Sequence, residues 1–240
     1  MKKSILLLAL ALFYTNSIIY AQNKLQGNGK VVSETRTTGD YDGIKISGFF
    51  DINLVSGKEG KITIKGEENL LSAIKVEVED NSLKVYIEKS TNIKTSSGKN
   101  IQITVPFEKI SELSLAGSGD IQSKDVIKNE KFSVKLSGSG NFTLPVDTND
   151  LELNVSGSGN VRLKGTASNF SAKLSGSGDI DAADLKSKIV IANVSGSGNS
   201  KVFCDESLTA RVSGSGNIRY VGNPEKRDTK VSGSGSISKS

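Results

Sequence analysis

From Leu113 onward an apolar–polar–apolar triplet keeps returning. It reads Leu113-Ser114-Leu115, Val134-Lys135-Leu136, Leu153-Asn154-Val155, Ala172-Lys173-Leu174, Ala192-Asn193-Val194 and Ala210-Arg211-Val212. The seventh, Thr229-Lys230-Val231, keeps only its last apolar position. Each triplet runs into a Gly-rich unit, and an apolar residue follows the unit: Ile121, Phe142, Val161, Ile180, Ile218 and Ile237. The fifth repeat departs, with Ser200 in that place and Val202 two residues on. Alternation with period two predicts short strands with one buried face. Because the apolar positions recur in phase, each strand is expected beside its counterpart in the next repeat.

The unit between the strands is AGSGD at Ala116, SGSGN at Ser137 and Ser156, SGSGD at Ser175, SGSGN at Ser195 and Ser213, and SGSGS at Ser232. The spacings are 21, 19, 19, 20, 18 and 19 residues, a solenoid-scale period. The first glycines are Gly117, Gly138, Gly157, Gly176, Gly196, Gly214 and Gly233; the second are Gly119, Gly140, Gly159, Gly178, Gly198, Gly216 and Gly235. The polar fifth position holds Asp120, Asn141, Asn160, Asp179, Asn199 and Asn217. Glycine reaches positive φ and lets stacked backbones approach closely. Asn and Asp tolerate the same turn and can bond back to the chain, and identical polar residues can form ladders. The unit is therefore expected at a corner or bulge of a coil, with coils about 4.8 Å apart.

A coil of this length has a perimeter of roughly 60 Å, enough for one thin apolar core. The fold class that follows is all-β: a short, narrow, right-handed parallel β-helix, right-handedness being the rule for parallel crossovers. Residues 22–112 lack the tight repeat and read as an irregular β-rich cap with the first degenerate coils. Strands are expected at Val31-Val32, Gly43–Ile46, Phe50–Val55, Lys61–Lys65, Ile74–Glu79, Ser82–Ile87 and Ile101–Val105. Within the cap, IKISGFFDI (Ile44–Ile52) fits the later frame, with Asp51 in the Asn/Asp slot. Residues 113–240 form the repeat helix, continuous with the cap as one domain. The C-terminal coil blunts its edge only weakly with Ser and Lys239, so an end-to-end homodimer is a candidate assembly.

Composition narrows the functions. Hydrophobic residues are 35% and aromatics 5%, without Trp, which suits a thin core better than a large globular one. There is no His, which removes histidine bases, Ser-His-Asp triads and His-ligated metals. The single cysteine, Cys204, excludes an internal disulfide and a Cys-cluster zinc site. It follows an apolar pair with no base beside it and reads as a small buried residue. The N-terminus combines Lys2 and Lys3 with an apolar run, Ile5 to Phe13, too short to span a bilayer. A secretory signal over residues 1–21, cleaved near Ala21, is the expectation, and an uncleaved anchor the alternative. No later segment is apolar enough to cross a membrane. The protein is thus expected in the periplasm, at the outer surface or outside the cell.

Removing Lys2 and Lys3 lowers the formal charge of +5 by two, to +3. The basic residues are neither clustered nor interleaved with aromatics, so no nucleic-acid partner is expected. The outward slots alternate: Lys135, Asn154, Lys173, Asn193, Arg211 and Lys230 in one column, and Arg162, Asp181 and Lys201 in another. This is the pattern of a solvated ladder, with a basic stripe for an anionic partner as the functional alternative.

Catalysis on a β-helix needs clustered carboxylates. Asp120 and Asp179 share one slot but stand three coils, about 14 Å, apart, beyond the roughly 5–9.5 Å of a carboxylate pair. No paired acids in register are expected. Asp179, Asp181 and Asp184 are the best local acidic group, although alternation splits them between faces. Gly-Ser-Gly-Asp is similar to a calcium β-roll unit, yet the period here is twice as long and most slots are neutral. No catalytic, cofactor or metal residue is assigned.

The order of ETRTTGDYDGIKISGFFDINLVSG, ITIKGEENLL, NSLKVYI, IQITVP and LSLAGSGDI resembles the bacterial family called putative auto-transporter adhesin, head GIN domain. The resemblance spans about Val31 to Ser238. It implies an exported β-helical, adhesin-like protein and brings no catalytic residues. No C-terminal membrane barrel is evident. The expected function is a non-enzymatic interaction module that contacts a glycan or an envelope or surface protein along its outward strand faces, with no cofactor. Phe49 and Phe50 are the aromatic pair for that contact, burial in the cap being the other role open to them. Two other classes stay open: a pectinase-like enzyme acting on polysaccharide, and a structural envelope-assembly protein.

Overall fold

The computed structural model describes residues 23–240. The expected signal, residues 1–21, lies outside the described residues. In chain order the first strands are β1 (Asn23–Gln26), β2 (Val31–Thr37), β3 (Gly43–Gly48), β4 (Asp51–Ser56) and β5 (Lys61–Glu67). A single helical turn, α1 (Glu68–Leu71), follows. Then come β6 (Ile74–Glu79), β7 (Ser82–Ile87), β8 (Thr91–Lys94) and β9 (Gln102–Phe107). The repeat region contributes β10 (Glu112–Gly117), β11 (Asp120–Ser123), β12 (Ile127–Gly138), β13 (Asn141–Gly157), β14 (Asn160–Gly176) and β15 (Asp179–Gly196). It ends with β16 (Asn199–Phe203), β17 (Ser207–Gly214), β18 (Asn217–Val221), β19 (Lys226–Gly233) and β20 (Ser236–Lys239).

The chain winds into a β-solenoid of about seven turns with coils of about 19 residues. Every pairing within the repeats is parallel, and the register is in phase apart from one bulge between β14 and β15, where Arg162 faces Asp181 but Lys164 faces Asp184. Val134 faces Leu153, Leu153 faces Ala172, Ala172 faces Ala192, and Ala192 faces Ala210. The register is set by burial, because a shift of one residue would turn each apolar set outward. One coil shows the arrangement: Phe142, Leu144, Val146, Leu151, Leu153 and Val155 are all buried. Each such side chain stabilises the fold by about 2 kcal/mol, and the buried side chains form one continuous cluster along the solenoid.

The N-terminal half has an order that the periodicity does not reveal. IKISGFFDI lies between two layers. On one side β3 pairs with β10, Ile44 against Leu113 and Gly48 against Gly117. On the other side β3 pairs with β7, and β4 pairs with β9. The chain therefore lays down one coil, builds the cap beneath it and returns above it to start the repeats. The cap ends the solenoid with antiparallel strands: β2 on β5, β5 on β9, and β6 on β7. The β6–β7 turn uses Asp80 and Asn81 at positive φ, the geometry of a tight hairpin.

One buried carboxylate ties this cap together. Glu67 accepts hydrogen bonds from Gly29 N–H (2.6 Å), Ser96 N–H (2.8 Å) and the Ser96 hydroxyl (2.6 Å). The Ser96 hydrogen bonds hold its carboxyl below the ordinary value of 4.5.

Candidate functional site

The glycine units stand one above another at a corner of the solenoid. The first glycine of each has positive φ, from +145° at Gly117 to +120° at Gly196. The second is buried in all units but the last and needs no special φ, but its neighbour's backbone fills the space a side chain would take. A Cβ on Gly140 would lie on the carbonyl oxygen of Gly119 and 2.6 Å from Leu115 Cδ2. Beside the glycines runs the amide ladder. Asn141 Nδ2 donates to Asp120 (2.8 Å), Asn160 Nδ2 to Asn141 (3.0 Å) and Asn199 Nδ2 to Asp179 (3.0 Å). Asn217 Nδ2 donates to Asn199 (2.9 Å), and the Ser236 hydroxyl to Asn217 (2.7 Å). These side chains are engaged with one another, which makes the corner a packing device.

The expectation of no acids in register needs correction. Ile52 pairs with Ile121, so Asp51 and Asp120, each one residue earlier, occupy adjacent coils. Asn100 donates to Asp51 at 3.0 Å, and Asn141 holds Asp120 from the opposite side. The pairing was hidden because 69 residues separate the two in sequence, against about 19 elsewhere. Asp181, by contrast, lies between Arg162 and Lys201, and its carboxylate is 3.4 Å from Arg162 Nε. Among the described residues no group of three or more acidic or thiol side chains is placed to hold a metal ion.

Phe49 and Phe50 stack with ring centroids 5.9 Å apart. Phe50 is fully buried, and Phe49 is half-buried against the core. Only Phe49 reaches the surface, because alternation turns the second ring inward beneath Gly48. Cys204 is buried, its thiol pushed up by burial and donating to the Ser207 carbonyl (3.1 Å).

A concavity lies elsewhere, on the outward face of β12 to β15. It encloses about 450 Å³. Two outward columns line it: Lys131, Asp150, Asn169 and Ile189, and beside them Ser133, Glu152, Ser171 and Ile191. Between them Phe132, Leu151 and Phe170 form the floor. One end is charged. Asn169 Nδ2 donates to Asp150 (2.7 Å), and Asn154 Nδ2 to Glu152 (2.9 Å). The other end is apolar, with Ile189 and Ile191 exposed by 42% and 43%. At the opposite, β12 end a hydroxyl, Ser133 Oγ, is buried without a hydrogen-bond partner. The groove was missed in sequence, although a signal was present: Ile189-Val190-Ile191-Ala192 breaks the apolar–polar alternation. Two large apolar side chains in outward slots are the informative exception on an otherwise polar face.

Residues 40–224 match the family described as putative auto-transporter adhesin, head GIN domain. The chain belongs to this family. Its fold recurs in a putative adhesin from Bacteroides fragilis, with 25% identity, a TM-score of 0.85, and coverage of 90% of this chain and all of that one. It recurs in a putative lipid binding protein from Parabacteroides distasonis, with 26% identity, a TM-score of 0.76, and coverage of 91% and 100%. A putative adhesin from Parabacteroides merdae shares the fold at 22% identity, a TM-score of 0.70, and coverage of 91% and 99%. No curated protein matches the chain. The family and two of these three neighbours carry adhesin descriptions. Among the described residues no helix is long and apolar enough to cross a membrane.

Proposed function

We propose that this chain is an exported, non-enzymatic interaction module that binds a glycan or an envelope or surface protein on its outward strand faces. The groove over β12 to β15 carries the reading. It offers an apolar platform at Ile189 and Ile191 beside carboxylates, amides and hydroxyls, the mixture that fits the apolar face and hydroxyl rim of a sugar. The rigid solenoid holds these columns at fixed spacing, so little conformational entropy is lost on binding. The test is a glycan array and an envelope-protein overlay, run with the full chain and with Ile189→Ser/Ile191→Ser. Binding that the substitution abolishes supports the groove, and binding it leaves untouched places the contact elsewhere.

One observation favours a second reading, a polysaccharide-acting enzyme: Asp51 and Asp120 occupy the same slot of adjacent coils. Product release from a panel of acidic polysaccharides, lost in Asp51→Asn and in Asp120→Asn, would select it over the first. The similarity to a protein described as lipid binding adds a third arm to the same assay, vesicles with and without the family's chain.

A further inference from the structure

The C-terminal coil differs from all the others in charge and in what fills its core slots. Among the described residues, 23–200 carry 22 Lys/Arg and 22 Asp/Glu, whereas 201–240 carry seven and four. The whole excess of three positive charges therefore sits on the last two coils. The core columns also change character there by residue type. Arg227 stands in register with buried Leu208, Thr229 with buried Ala210, and Lys239 with buried Tyr220. Arg227 Nη1 donates to the Tyr220 hydroxyl at 3.0 Å. Only Val231 and Ile237 keep the apolar pattern.

The outer edge of β19 pairs with no other strand among the described residues. Lys226 N–H donates inward to the Glu206 carbonyl (3.1 Å). Backbone groups alternate sides along a strand, so those of Arg227, Thr229 and Val231 face outward. Free backbone groups are a template for an added strand. The edge carries Lys226, Arg227 and Lys230 against one acid, Asp228, whose carboxylate is held by Arg211, so a second copy meeting it would bring mainly like charges together. Like charges opposite one another are unfavourable, which disfavours the end-to-end homodimer.

We infer that the edge of β19 is a docking site for an extended, acidic polypeptide segment of a partner protein, which adds as a further parallel or antiparallel rung. Its backbone bonds to Arg227, Thr229 and Val231, its carboxylates lie near Lys226, Arg227 and Lys230, and an apolar residue covers Val231. The site is separate from the groove, so either can fail without the other.

The test uses the full chain and a fluorescent peptide, Glu-Val-Glu-Thr-Glu-Val-Glu-Thr, followed by anisotropy at low salt. The same peptide with Lys for Glu is expected not to bind. N-methylation of alternate peptide nitrogens, which removes backbone donors and leaves the charge, is expected to weaken binding at least tenfold. So are Lys226→Glu/Lys230→Glu and Thr229→Pro, each checked for an unchanged β spectrum and melting temperature; the N-methyl comparison decides the matter if either variant misfolds. Absence of binding overturns the proposal. Binding that survives N-methylation, or that a sulfated polysaccharide displaces at equal charge, overturns it in favour of a simple polyanion site. A dimer by sedimentation that Lys226→Glu/Lys230→Glu strengthens overturns it in favour of self-pairing.

Discussion

The carbonyl oxygen of Gly138 stands where a side chain on Gly157 would begin, and it accepts hydrogen bonds from Ser158 N–H (2.9 Å) and Gly159 N–H (3.2 Å) of the coil above. The missing side chain and the two hydrogen bonds are one feature. Only glycine lets the coils close to bonding distance, and Gly157 also has φ of +122°. Gly157→Ala combines positive-φ strain with a clash against backbone that cannot yield. It is expected to destabilise the protein by at least about 2 kcal/mol, read as a lower denaturant midpoint. A change of under half that amount would mean that the coils can separate locally.

Ser200 occupies the column of Phe142, Val161, Ile180 and Ile218, where it is 2% exposed and its hydroxyl has no partner. An unsatisfied buried hydroxyl costs about 1–3 kcal/mol. Ser200→Ala removes it without adding volume. The expected outcome is a melting temperature equal to or higher than that of the parent, by calorimetry. A lower one would show that the hydroxyl is satisfied in solution.

Glu67 gives the cap an acid sensitivity. Its folded carboxyl titrates below the ordinary value of 4.5, so its contribution is complete above that value and disappears as pH falls through the lower folded value. Glu67→Gln is expected to melt earlier than the parent at pH 7, with the difference shrinking toward acid pH. A difference that stays constant down to pH 3 would sink the assignment.

Ile189 and Ile191 are outward and flank the groove, so their replacement by serine is expected to change stability by no more than about 0.5 kcal/mol. The same variant should lose at least tenfold in affinity for whichever glycan or surface protein the parent binds. Unchanged affinity would remove the groove from the binding face.

Some of this was legible from residue order and some was not. The triplets and glycine units set strand direction, register and coil length, because period-two burial allows one phase. Asp181 was placeable between Arg162 and Lys201 on the same ground. The cap strands were readable one by one from their alternation, apart from β1 and β8, which are short and polar. Their partners were not readable, since antiparallel and parallel pairing leave the same alternation in a sequence. Phe50 illustrates the limit: its type left contact and burial both open, and its parity in the strand made it core.

The residue pattern alone thus determined a parallel coil of about 19 residues and the need for glycine at its corner. Both are local consequences of which side chains can be buried and which backbone angles can be reached. The tertiary structure alone decided that β3 and β4 lie between the cap and the repeats, that Asp51 neighbours Asp120, and that outward columns of unlike residues merge into one groove. Those relations depend on which distant segments share a hydrogen-bonded edge, a choice made by the packing of the whole chain.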